Sequence, residues 1–187
     1  MTWDELIYWC NNCTDCDLCK TRHNVVVGTG DRHSKILFVG EGPGYYEDMQ
    51  GEPFVGAAGQ LLDKMLSAIN LDRSQVYIAN IVKCRPPQNR DPLPEEQTAC
   101  IKYLRQQFKL IRPQIIVCLG RIAAKAIIEP DFKITRDRGK WYNKKGIDII
   151  ATYHPSALLR DESKKPAAWE DFKQIRDKLK ENEENER

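Results

Sequence analysis

The chain has 187 residues, 29 Lys and Arg against 27 Asp and Glu for a net charge of +2, and seven cysteines. That length suits a single domain with a core of its own, and with no long apolar run and no signal peptide at its start a soluble, cytoplasmic monomer away from membranes is expected. The near-neutral balance does not mark a strongly basic nucleic-acid binder, and a reducing compartment turns the cysteines from a disulfide framework towards metal or catalytic use.

From the N-terminus, Trp3, Leu6, Ile7 and Trp9 suggest a short helix, after which Cys10, Cys13, Cys16 and Cys19 recur at three-residue steps. Successive C-x-x-C turns can gather thiolates around one metal centre; the bacterial ferredoxin run is similar but ends in x3-C-P, which this one does not. Ile36, Leu37, Phe38 and Val39 then form an unbroken apolar run, the pattern of a strand covered on both faces of a parallel sheet. Gly40-Glu41-Gly42-Pro43-Gly44 stops it. Taken alone this is a tight strand-to-helix turn, although its glycines also free the backbone for close approach of a ligand. Counting G-x-G-x-x-G from Gly40 puts Tyr45 at the third glycine, and no G-K-[ST] follows, so dinucleotide and phosphate-loop readings both fail. Residues 47–59 look odd for a connection, because Phe54-Val55 is an apolar patch among Gly51, Pro53, Gly56 and Gly59, and Phe54 either packs beneath the loop or offers a flat group a stacking surface. Residues 60–70 are amphipathic, with Leu61, Leu62, Met65, Leu66 and Ile69 at helical spacing.

Residues 76–81 give a second strand. It leads into Lys83-Cys84-Arg85-Pro86-Pro87-Gln88-Asn89-Arg90, kept irregular by two prolines, whose cations are either free for phosphates or simply solvated. Pro94 opens a helix with Glu95 and Glu96 in its first turn, where the helix dipole favours acids, and Tyr103, Leu104, Phe108 and Ile111 as its buried stripe. Residues 115–119 form a third strand, in which Cys118 reads as a small core residue, and a short helix covers 121–128. Residues 135–146 are basic with Trp141 and Tyr142 interleaved, a hairpin composition that suits either DNA or solvent. A fourth strand spans 147–153, and His154-Pro155-Ser156-Ala157-Leu158-Leu159-Arg160 follows at once. The amphipathic helix 167–180 rests on Trp169, Phe172, Ile175 and Leu179, and 181–187 is a charged tail expected to be disordered.

Four strands alternating with helices predict one α/β domain over residues 1–180, with a central four-stranded, mostly parallel sheet flanked by helices. Ligands of such sheets bind beyond the carboxyl ends of the strands. Glu41, Asn80, Gly120 and His154 each fall at or just after a strand's last position, so they converge on one rim.

The stretches GEGPGYYEDMQGEPFVGAAGQLL, YIANIVKCRPPQNRDPLPEE and HPSALLR, with C-T-D-C-D-L near the start, resemble those of the family 4 uracil-DNA glycosylases, the iron–sulfur type of bacteria and archaea. The match spans residues 13–160, and Tyr45-Tyr46 departs from the acidic pair often found there. The resemblance implies a uracil-DNA glycosylase-like fold and an enzyme that hydrolyses the N-glycosidic bond of deoxyuridine flipped out of double- or single-stranded DNA, initiating base excision repair. By the same resemblance His154 donates a hydrogen bond to the departing uracil, Asn80 reads the Watson–Crick edge, Phe54 stacks on the ring, and Glu41 with the Gly42 backbone holds the attacking water. Glu47 becomes a polar wall against the thymine methyl. Arg85, Arg90 and Arg160 would grip phosphates, and Leu158 or Leu159 would fill the gap left by the flipped base. A 4Fe-4S cluster on Cys13, Cys16, Cys84 and Cys100 is implied, with Cys10 spare and Cys19 either spare or in place of Cys13. A basic, His-containing insertion found in a uracil-trapping relative is absent, so turnover is expected. The competing readings are a cluster-bearing nucleic-acid sensor that does not cut, and a zinc protein using the same cysteines structurally.

Overall fold

The computed structural model describes residues 1–187 and builds one sheet between two layers of helices. In chain order the elements are α1 (Trp3–Asn11), β1 (Thr29–Gly30), β2 (Ile36–Gly40), α2 (Tyr45–Gln50), α3 (Ala57–Ala68), β3 (Tyr77–Asn80), α4 (Pro94–Ile111) and β4 (Ile115–Leu119). Then come α5 (Arg121–Ile127), α6 (Ile134–Asp137), β5 (Tyr142–Lys144), β6 (Ile147–Thr152), α7 (Pro155–Arg160) and α8 (Lys165–Asn185).

The sheet order is β1-β3-β2-β4-β6-β5. Its four inner strands are parallel, with Gly40 opposite Asn80, Val39 opposite Cys118 and Leu119 opposite Thr152. These are the four strands expected from the apolar runs. The sheet has six because β1 and β5 add short antiparallel edges, pairing Thr29 with Ile78 and Tyr142 with Ile149. Neither edge carries an apolar run, since an edge strand is held by its backbone ladder and need not bury both faces.

Alternation along the inner strands divides the core in two. Leu37, Val39, Ile116, Cys118, Ile149 and Ala151 pack on one face with Leu6 of α1 and Leu104 of α4. Ile36, Phe38, Ile115, Val117 and Ile150 pack on the other with Leu62 and Leu66 of α3 and Phe172 and Ile175 of α8. Cys118 is fully buried in the first cluster, the packing role expected of it.

One expectation needs correction. Residues 181–187 were expected to be disordered, yet α8 continues to Asn185 and Glu186 accepts hydrogen bonds from Lys35 Nζ and Gln114 Nε2. A helix already nucleated on the packed Phe172 and Ile175 extends at one hydrogen bond per residue, even where the added residues bury nothing. Residues 47–59, odd for a connection in sequence, hold most of α2 and the start of α3. No helix of the chain is long and apolar enough to cross a membrane.

Candidate active site

The carboxyl ends of β2, β3, β4 and β6 lead to Glu41, Asn80, Gly120 and His154 on one rim. Gly40 lets the components close up: a Cβ there would lie 2.6 Å from Asn80 Oδ1 and 2.7 Å from Phe54 Cζ. Gly120 does the same for β6. It sits at φ +91°, where a side chain is strained, and a Cβ would meet His154 Cβ at 3.0 Å.

The resulting cleft, about 240 Å³, is lined by Glu47, Phe54, Asn80 and His154, with Tyr45 and Tyr46 at its lip. It opens into a wider trough lined by Glu41, Asp91, Arg121 and Arg160. Phe54 and His154 form a ring pair at 5.4 Å and 26°, too close for a base to lie between them. Phe54 reaches this position through a backbone at φ +54°, strained for an aromatic residue. Arg73 holds the strain in place. Its guanidinium donates to the carbonyls of Pro53 and Phe54 and is anchored by Asp63 at 2.5 Å.

His154 is the N-cap of α7, and its Nδ1 accepts from the Ser156 N–H at 3.1 Å and from the Ser156 hydroxyl at 2.5 Å. With Nδ1 acting as acceptor, the ring proton resides on Nε2. Burial, and then Arg160, lower the imidazole pKa from 6.5 to about 4, so the ring is a neutral donor at physiological pH. Asn80 is 2% exposed and its Oδ1 has no hydrogen-bond partner. A buried acceptor left unpaired costs about 1–3 kcal/mol, which a ligand's N–H would recover.

Glu41 also keeps a buried carboxylate oxygen, Oε1, without a partner. Burial, and then the neighbouring Asp91, raise its pKa to about 7. Asp91 itself is held below its ordinary value first by Arg121, whose Nη2 lies 2.5 Å away. Two acids side by side cannot both ionise freely, and here the arginine fixes the charge on Asp91. Glu47 is no solvated carboxylate. It accepts from the backbone N–H of Gly44 at 3.0 Å, Val55 at 3.2 Å and Gly56 at 3.0 Å, closing the turn over the pocket.

The residues assigned to DNA contact divide. Arg160 is exposed in the trough without an acidic partner, and Arg85 is half-buried, bonded to Asn89 Oδ1. Arg90 makes a two-pronged bond to the buried Glu96, at 2.8 and 3.0 Å, which fastens the loop to α4 at the edge of the trough. Leu158 is 1% exposed, packed with Tyr153 and Ala168, and cannot enter DNA; Leu159 is 47% exposed. The one-residue step along α7 turns one leucine into the core and the next outward. In residues 135–146, Arg136, Arg138 and Lys140 pair with Asp137 or Asp171.

A second chamber lies on the opposite face of β3. Cys10, Cys13, Cys16, Cys19, Cys84 and Cys100 all line it, so the cysteines expected to be spare stand beside the expected ligands. Arg22 Nη1 and the Lys83 N–H point at the sulfurs of Cys84 and Cys100, each at 3.3 Å. Such N–H to sulfur bonds are the kind that support thiolate ligands of an iron–sulfur cluster. Lys83 is buried, its ammonium bonded to the Asn80 carbonyl at 3.0 Å and Gln107 Oε1 at 2.7 Å.

Asp91, Arg73 and Ser156 were missed as site residues. Ser156 stands in the H-P-S turn, where a hydroxyl two residues after an N-cap histidine is a readable signal. Arg73 and Asp91 act across 19 and 50 residues of chain and leave none.

Comparison with known proteins gives a consistent picture. A model of the Uracil DNA glycosylase superfamily matches residues 27–174. The type-4 uracil-DNA glycosylase of Archaeoglobus fulgidus is 48% identical over 180 residues, covering 92% of this chain and 90% of that protein. That of Thermotoga maritima is 48% identical over 155 residues, covering 81% and 80%. The type-5 uracil-DNA glycosylase of Pyrobaculum aerophilum is more distant, 32% identical over 146 residues, covering 69% of this chain and 64% of that protein.

Proposed function

The chain belongs to the uracil-DNA glycosylase superfamily, and from that premise we propose how it excises uracil from DNA and which residues do so. The reaction is hydrolysis of the N-glycosidic bond of a flipped-out deoxyuridine, the opening step of base excision repair. Asn80 carries the reading. Its buried, unpartnered Oδ1 is an acceptor waiting for uracil N3–H, while its amide N–H₂ can donate to the adjacent carbonyl at position 4. With the amide oriented this way, cytosine offers a lone pair and an amino group at the same places, so both contacts fail. Discrimination of about 10⁴-fold is typical when a buried polar site is mispaired in this way.

The pyrimidine stacks against Phe54 with His154 at its edge. As the bond to the sugar lengthens, negative charge gathers on the carbonyl at position 2, and the neutral Nε2–H of His154 donates to it. Preorganised donors of this kind contribute about 3 kcal/mol, because they need no reorientation as charge develops. Glu41 accepts a proton from water held near the Gly42 backbone. A carboxyl raised to about 7 is matched to that task near neutral pH. Glu47, fixed by three backbone donors, presents a carboxylate that a thymine methyl would have to desolvate.

A 4Fe-4S cluster held by Cys13, Cys16, Cys84 and Cys100 fits the donor set and the N–H to sulfur bonds of the second chamber. When bound, it serves as a cross-link between the N-terminal segment, the loop after β3 and α4. Arg85 and Arg160 grip phosphates, and Leu159 fills the space vacated by the base in a duplex. The test is single-turnover cleavage of strands carrying one uracil or one cytosine. The parent cuts only uracil, and Asn80→Ala loses about 10²-fold or more on uracil with little change in DNA affinity. Equal loss of rate and affinity would mean that Asn80 holds the fold and does not read the base.

A further inference from the structure

Tyr45 and Tyr46 open α2 at the lip of the base pocket, and the reaction just described gives them no task. They are 51% and 59% exposed. Single exposed aromatics are ordinary, but these two stand edge to face with centroids 5.3 Å apart. The Arg85 guanidinium lies 5.3 Å over the Tyr45 ring, and is itself held by Asn89 Oδ1 at 2.7 Å. Beneath them Glu47 ties the turn by accepting from Gly44, Val55 and Gly56, so the backbone that carries the rings is fixed. The rings are thus preorganised at the rim of the pocket.

We infer that Tyr45 and Tyr46, backed by Arg85, form a stacking subsite for an unpaired base flanking the flipped uracil, and that single-stranded DNA is the form held there. The inference rests on the uracil-excision reading above. Every base has a π face, so such a platform accepts any neighbour, and the nearby guanidinium adds attraction for the strand. In a duplex the flanking base stays paired and stacked on its outer neighbour, with Leu159 filling the gap on its other face, so it gains little from the rings. In a single strand those faces are free.

The test places 2-aminopurine beside a non-cleavable 2′-fluoro-deoxyuridine in a single strand. Binding by the parent quenches the fluorescence. The double variant Tyr45→Ala/Tyr46→Ala loses the quenching and binds about tenfold more weakly, whereas Tyr45→Phe/Tyr46→Phe keeps both. With cleavable single strands the alanine pair raises KM by a similar factor at nearly constant kcat, affects duplex substrate less, and leaves inhibition by free uracil unchanged. Unchanged quenching and KM would overturn the proposal. So would an equal rise in KM for single strand and duplex, or a matching loss of uracil inhibition, since either makes the rings a general contact or a pocket support. Because the fluorescent strand is not cut, failure of the parent to release uracil would refute the glycosylase reading without deciding the stacking signal.

Discussion

Replacing Asp91 by Asn should move the acidic limb of the pH–rate profile. Glu41 is raised to about 7 by burial and then by Asp91, with Arg121 and Arg160 pulling the other way. The substitution removes the like charge and leaves Arg121 without its partner, so both changes favour ionised Glu41. Glu41 acts as base only when deprotonated, so the parent's rate rises with pH through about 7. In Asp91→Asn that rise comes at lower pH, by about one unit, the scale on which a single neighbouring charge acts. The Asp91–Arg121 pair is itself half exposed, so its loss costs only about 0–1 kcal/mol of stability and the variant folds. Single-turnover rates on a uracil strand across the neutral and acidic range give the curve. An acidic limb that stays in place, or moves upward, would refute Glu41 as the group titrating with Asp91 beside it.

Glu47→Ala should gain measurable release of thymine from a mismatch, where flipping is easiest, while still releasing uracil. It should also lower Tm, because three backbone N–H groups lose their acceptor; a variant as blind to thymine as the parent would place the wall elsewhere. Alanine at Cys13, Cys16, Cys84 or Cys100 should remove iron and visible absorbance, while Cys118→Ala keeps both; stoichiometric zinc without iron would refute the cluster. Leu159→Ala should slow uracil release from duplex more than from single strands at unchanged Tm, whereas Leu158→Ala should cost about 2–5 kcal/mol of stability, as burial predicts. The reverse pattern would exchange their roles.

The parts of this fold that were legible in sequence are those whose chemistry is local. The inner strands are buried on both faces and so read as unbroken apolar runs, and the rim residues follow directly from where those runs stop. β1 and β5 carry no such signal, being edges defined by a partner's backbone. α2 escaped notice because it lies among Gly51, Pro53 and Gly56 and exposes both tyrosines; its start is set by Glu47 reaching back to the Gly44 N–H. Leu158 and Leu159 are equivalent in sequence, and only the phase of α7 separates them. The bond from Arg90 to Glu96 spans only six residues but depends on how the loop folds back on α4, which no spacing shows. Arg73 and Asp91 became visible through long-range closure, which no spacing rule encodes.

The central claim is tested most directly by incubating the protein, with no added metal or nucleotide, with an oligonucleotide containing one uracil and measuring free uracil. The account predicts release, and a His154→Ala variant that still binds the strand but cleaves about 10²-fold or more slowly, because the neutral Nε2 donor acts only as charge develops on the leaving base. Intact uracil DNA after prolonged incubation with iron-loaded protein that still binds it would contradict the account and leave a recognition module in its place.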